Sequence, residues 1–131
     1  MPRALAVALY WLAAITIALG AYGHGFVGVV PIREAVAASN LDAHAVRVIW
    51  IVWYFVSGAM LAFGLLLFWV WAELRSGSAR RSGAALVVGA FYLLFGAAAY
   101  VYSGREPFWL LFVIQGLIVI ASTLALGRAR S

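Results

Sequence analysis

The segment Val48–Ala72, reading VIWIVWYFVSGAMLAFGLLLFWVWA, contains no Arg, Asp, Glu or His. A helix of about 20 mostly apolar residues crosses the ~30 Å hydrocarbon layer of a bilayer, and this run exceeds that length. Working outward from it, the remaining Arg, Asp and Glu positions bound three further uncharged runs, Ala4–Ile32, Ser82–Gly104 and Pro107–Gly127. Each of these also reaches spanning length. The expected fold is therefore all-α, an integral membrane antiparallel four-helix bundle forming a single transmembrane domain over residues 1–131. The runs place its helices at about 4–24, 41–72, 83–103 and 107–126, with an interfacial segment at about 31–38.

Composition supports hydrocarbon as the surrounding medium. Of 131 residues, 67% are hydrophobic and 10% charged, and the mean hydropathy is +1.07. A soluble domain of this size leaves much of its chain in water and could not hide that much apolar surface. In a bilayer the backbone polar groups must pair internally, which favours helices. The chain has no cysteine, so disulfides, thiolate metal sites and cysteine nucleophiles are excluded. Its net charge of +5 comes from arginine, with no lysine. These arginines lie between apolar runs or at the chain ends and resemble no nucleic-acid recognition module. Topology and anionic lipid head groups account for them better.

The connections constrain the topology. Ser76–Arg81 and Ser103-Gly104-Arg105-Glu106 are short, so the helices they join must be antiparallel neighbours. Pro107 suits the first turn of the last helix. Gly23, Gly25 and Gly28 weaken helix continuity, so the first helix is expected to leave the membrane near Tyr22–Gly25. In the long connection Phe26–Asn40, a short interfacial helix over Pro31–Ala38 would turn Ile32 and Val36 to lipid and Arg33 and Glu34 to water. Ser39-Asn40-Leu41-Asp42 has the S-x-x-D form of a capping box, which would start the second helix near Leu41. That helix would outreach the bilayer and need to tilt or protrude.

Arg3, Arg75, Arg80, Arg81, Arg128 and Arg130 fall on one side, and Arg33, Arg47 and Arg105 on the other. The positive-inside rule then places both termini in the cytoplasm (N-in/C-in) of a multi-pass protein in the cell inner membrane. A secretory signal is the competing reading of the N-terminus. However, its apolar stretch exceeds the ~7–15 residues of a signal core, and no soluble domain follows. Trp50, Trp53, Phe108 and Trp109 should lie near one interface, and Phe68, Trp69 and Trp71 near the other. Small residues at Gly20, Gly58, Ala62, Gly89 and Gly96 are expected to let helices approach closely.

The available chemistry gathers on the extracytoplasmic side. Thr16, Gly20 and His24 make one helical stripe, and His44, Arg47, Ile51, Tyr54 and Ser57 or Gly58 make another. Tyr92, Gly96 and Tyr100 follow on the third helix and Gln115 on the fourth. Turned inward, these stripes would define an outward-opening polar pocket with His24, His44, Arg47, Tyr54, Tyr100 and Gln115 as ligand-binding residues. Glu34, Asp42, Arg105 and Glu106 would lie at its mouth. His24 either hydrogen-bonds a carbonyl or handles a ligand or proton, since imidazole titrates near neutral pH. Arg47, one turn inside its helix, wants a carboxylate, a phosphate or water. Gln115 should form an interhelical hydrogen bond or contact a ligand directly.

Two histidines on one side raise haem or a metal, but axial haem ligation needs opposed rings, and no tight metal-ligand spacing occurs. No catalytic residue and no metal ligand is assigned. No Asp, Glu or Lys sits mid-span, where a proton-coupled exporter would need one. Small multidrug transporters have a comparable length and helix count but depend on a glutamate in the first helix, where this chain has only Thr16.

The four-helix plan, with Gly23-His24-Gly25-Phe26-Val27-Gly28 closing the first helix, resembles small bacterial membrane proteins of the DoxX-like kind. That resemblance implies a link to respiratory quinone chemistry and hence a quinone or lipid in the outer pocket. No redox motif accompanies it. The leading expectation is a non-enzymatic accessory protein or a binder of a lipid-like ligand, embedded in the lipid bilayer and partnered by a larger membrane complex or by copies of itself. A quinone- or haem-associated oxidoreductase component and a small oligomeric transporter or channel are the alternatives.

Overall fold

The computed structural model describes residues 1–76 and 82–128. Arg80, Arg81 and Arg130, which enter the orientation argument, and most of the Ser76–Arg81 connection lie outside the described residues. The elements among the described residues are all helical: α1 (Arg3–Tyr22), a π-helical turn (Gly23–Val27), α2 (Val29–Ala37), α3 (Ala43–Ser76), α4 (Ser82–Tyr102), a 3-10 turn (Pro107–Trp109) and α5 (Leu110–Arg128). Among the described residues, four helices are long and apolar enough to cross a membrane: Arg3–Ala37, Ala43–Arg75, Ser82–Tyr102 and Pro107–Gly127.

Helices α1 and α3 pair antiparallel, α4 and α5 form a tight hairpin, and α1 also lies against α5. The α3–α4 seam is the slightest of the four and centres on Phe63, whose ring meets Phe91 and Tyr92. Glycine sets the closest approaches. A Cβ added at Gly64 would lie 2.6 Å from the Ala18 Cβ, and one at Gly116 would lie 2.5 Å from the Leu93 nitrogen. Gly89 and Gly96 likewise press on α5. In a hydrocarbon surrounding, which does not drive helices together, such close packing would hold the bundle. Gly58 has nothing near its missing side chain, and Ala62 is exposed. The close contact on α3 is made instead by Gly64.

The buried core lies toward the end that carries both termini. It comprises Ala6, Tyr10, Ala13, Ala14, Ile17, Leu67, Val70, Leu74, Ala85, Val88, Tyr92, Val119 and Leu126. The Tyr10 hydroxyl donates to the Leu67 carbonyl at 2.7 Å, and Trp11 and Trp71 pack beside it. Toward the other end the bundle loosens, and along α3 from Ala43 to Phe63 no residue is fully buried.

The helices differ in reach. At about 1.5 Å per residue, α4 with 21 residues is about 32 Å long, while α3 with 34 residues is about 51 Å. The α1–α3 register pairs Tyr10 with Leu67, Ala18 with Gly64 and His24 with Ser57. The part of α3 before Ser57, about 20 Å long, therefore lies past Tyr22, where α1 gives way to the π turn, and its Trp53 meets His24 and Gly28 there. Trp50, Trp53, Phe108 and Trp109 fall at that end, and Phe68, Trp69 and Trp71 at the other.

Two local expectations are corrected. The glycines after Tyr22 do not end the helix. They widen it into a π turn, marked by the Gly28 N–H reaching back to the Gly23 carbonyl at 2.7 Å, and the rod continues to Ala37. Residues without a Cβ tolerate the wider turn at little steric cost. Nor is Ser39 the cap of α3, because its hydroxyl turns back to the Val36 carbonyl. Asp42 does the capping: its Oδ1 accepts the N–H groups of His44 and Ala45 at 2.7 and 2.9 Å, satisfying two donors that a helix start leaves open.

The α4–α5 connection is a Schellman ending. Arg105 N–H bonds the Tyr100 carbonyl at 2.8 Å and Gly104 N–H the Val101 carbonyl at 3.3 Å. Gly104 (φ 77°) takes the left-handed position natural to glycine, and Arg105 (φ 72°) takes it too.

Candidate functional site

The π turn creates the most developed polar cluster among the described residues. In an α-helix the Gly28 N–H would bond the His24 carbonyl. Here it bonds Gly23, and the His24 carbonyl accepts the indole N–H of Trp53 at 3.2 Å. The His24 imidazole lies on that indole, with ring centroids 4.0 Å apart and planes 18° apart. Its Nδ1 meets Ser57 Oγ at 2.9 Å, and the Ser57 hydroxyl reaches the Trp53 carbonyl at 3.2 Å. Gly25 eases the approach, since a side chain there would begin 3.2 Å from Ser57 Oγ, while Gly28 lies at ordinary contact distance from the Trp53 ring. The spacing Trp53–Ser57 is one helical turn, so both side chains face α1 together. Among the described residues, His24 Nε2 has no hydrogen-bond partner.

A second polar contact lies about 12 Å deeper, eight residues back along α1. Gln115, 8% exposed, donates from Nε2 to Thr16 Oγ1 at 3.1 Å. The Thr16 hydroxyl passes its own proton to the Leu12 carbonyl at 2.8 Å. The same counting along α5 brings the 103–107 turn level with His24, so the cluster sits where α4 and α5 end.

Of the stripe expected to face inward on α3, Ser57 meets α1's continuation at His24, while the other members face elsewhere. The positions that meet α1 are Trp53, Ser57, Met60, Gly64, Leu67 and Trp71. His44, Arg47, Ile51, Tyr54 and Gly58 lie about 100° round the helix from these and are exposed. Hydrophobic periodicity could not choose between the two faces, because the exposed side of α3 is as apolar as the side that meets α1. Among the described residues Arg47 has neither a hydrogen bond nor an ion pair. His44 lies nine residues before Trp53, about 13 Å along the axis, so the two histidines are not brought together as opposed rings.

The remaining expected residues are placed separately. Tyr100 is partly buried and contributes its carbonyl to the Schellman ending. Glu34, Arg105 and Glu106 are exposed, and Asp42 is occupied as a helix cap. The backbone N–H of Glu106 bonds Ser103 Oγ at 3.3 Å. Among the described residues no three His, Cys, Asp or Glu side chains gather as a metal-binding group. The sequence marks Trp53 only as an interface aromatic and Ser57 only as one end of the α3 stripe, and their joint contact with His24 is not foreseen from it. The signal for them was the pairing of a Trp-x-x-x-Ser turn with a glycine-flanked histidine.

The chain matches no family model, no curated protein and no solved structure. The resemblance to DoxX-like proteins gains no support from these comparisons.

Proposed function

We propose that this chain is a multi-pass inner-membrane protein, with both termini cytoplasmic, that holds a lipid-like amphiphile against His24 at its extracytoplasmic end. It would act alone or as an accessory subunit of a larger membrane complex. The observation that carries this reading is the His24–Ser57–Trp53 cluster, in which one imidazole nitrogen is fixed and the other is unpartnered. π turns recur at functional sites because they displace backbone bonds and re-aim side chains. Two features around the cluster suit an amphiphile. The neighbouring half of α3 buries no residue fully, and α3 meets α4 less extensively than α1 meets α3 or α4 meets α5. Arg33 and Arg47, exposed beyond the cluster, suit lipid phosphates. The arginine distribution supports the orientation.

Native mass spectrometry of the gently extracted protein tests the reading. Wild type is expected to release a bound amphiphile that His24→Ala does not retain, while both forms insert equally. Equal retention by the two, or no adduct on wild type, would remove the assignment.

A further inference from the structure

The hydrogen-bond chain around His24 specifies more than a location. Ser57 has one hydroxyl proton and two close acceptor-type neighbours, His24 Nδ1 at 2.9 Å and the Trp53 carbonyl at 3.2 Å. If that proton went to Nδ1, the Ser57 oxygen and the Trp53 carbonyl oxygen would face each other at 3.2 Å with no proton between them. If Nδ1 carries a proton, both contacts are satisfied: Nδ1–H donates to Oγ, and Oγ–H donates to the carbonyl. A serine bonding the carbonyl one turn back is a common helical pattern, and in an apolar setting the fully satisfied arrangement is favoured. A neutral imidazole protonated at Nδ1 presents a lone pair at Nε2. The backbone carbonyl of His24 is taken by the Trp53 indole, and the indole ring lies against the imidazole. The one unpartnered polar atom of His24's side chain is thus an acceptor.

We infer that the site selects amphiphiles whose head group donates a hydrogen bond, a hydroxyl above all, and discriminates against carbonyl head groups of the same shape. This rests on the amphiphile-binding reading above but adds a sign to it. A hydroxyl can donate to Nε2, whereas a ketone would place two lone pairs against each other and leave Nε2 unsatisfied, a loss that site-built hydrogen bonding converts into selectivity.

The test uses full-length protein in phosphatidylcholine nanodiscs, with 15N-labelled histidine and His44→Gln, so that His24 is the single imidazole observed. The probes are 1-dodecanol and 2-dodecanone. Without a probe, Nδ1 is expected to be the protonated nitrogen. Dodecanol is expected to shift the Nε2 resonance and to bind about tenfold more tightly than the ketone. In Ser57→Ala, with Nδ1 released, the two affinities are expected to converge. A proton found on Nε2 in the wild type, equal binding of the two probes, or selectivity unchanged in Ser57→Ala would each overturn the inference. Absence of any amphiphile in native mass spectrometry, by contrast, counts against the binding reading itself.

Discussion

Gln115 near the middle of α5 and Thr16 of α1 are joined by a hydrogen bond of 3.1 Å between residues 99 apart in the chain. It is the only side chain-to-side chain hydrogen bond between α1 and α5 among the described residues. Such bonds inside membrane proteins average about 0.6 kcal/mol and reach about 1.7 kcal/mol. A double-mutant cycle of Thr16→Val and Gln115→Leu, followed by unfolding in mixed micelles, is expected to give a coupling in that range. A coupling indistinguishable from zero would show that α1 and α5 are held by packing alone.

Close packing predicts an order among glycine substitutions. A methyl group at Gly64 would collide with the backbone of α1, and one at Gly116 with the backbone of α4. Neither obstacle is the end of a flexible side chain. Gly64→Ala and Gly116→Ala should each cost about 1–3 kcal/mol, as overpacking does. Gly58→Ala meets open space and should be neutral or stabilise by up to about 1 kcal/mol through helix propensity. Unfolding midpoints for the three variants check the order.

The turn between α4 and α5 makes a paired prediction. Arg105 holds a left-handed backbone (φ 72°) without being glycine, a strain of about 1 kcal/mol or more. Arg105→Gly is expected to stabilise by somewhat less than that strain, since glycine also loosens the unfolded chain. Gly104→Ala (φ 77°) is expected to destabilise by about 1 kcal/mol. The opposite signs should be visible in thermal unfolding of the purified variants.

Orientation is directly measurable because the chain has no cysteine of its own. In intact spheroplasts, Asn40→Cys at the α2–α3 connection should react with a membrane-impermeant maleimide, and Pro2→Cys should react only after permeabilisation. The reverse pattern would invert the topology and place the His24 cluster on the cytoplasmic face.

The four apolar helices were legible because spanning length is written in composition. A run without charge and longer than the hydrocarbon layer has few other folds available to it. The stripe Thr16, Gly20 and His24 was legible for a related reason. Polar and small residues on an otherwise apolar helix are costly to leave facing lipid, and all three meet another helix in the structure. The same logic failed on α3. Arg47 and Tyr54 are polar, yet they lie on the exposed face of α3, about one residue's rotation from Trp53 and Ser57, and toward the start of the helix, where polarity no longer implies an inward face.

The sequence by itself determined how much of the chain is apolar enough for hydrocarbon and where its charged breaks fall, because those quantities add up residue by residue along the chain. Only the tertiary structure decided which face of α3 meets α1, that the glycines after Tyr22 widen the helix instead of ending it, and that His24 meets Ser57 and Trp53. Those outcomes depend on the register between helices distant in sequence. That register is set by a few close approaches, such as Gly64 on Ala18, whose energies are short-ranged and invisible to a pattern read along one strand of chain.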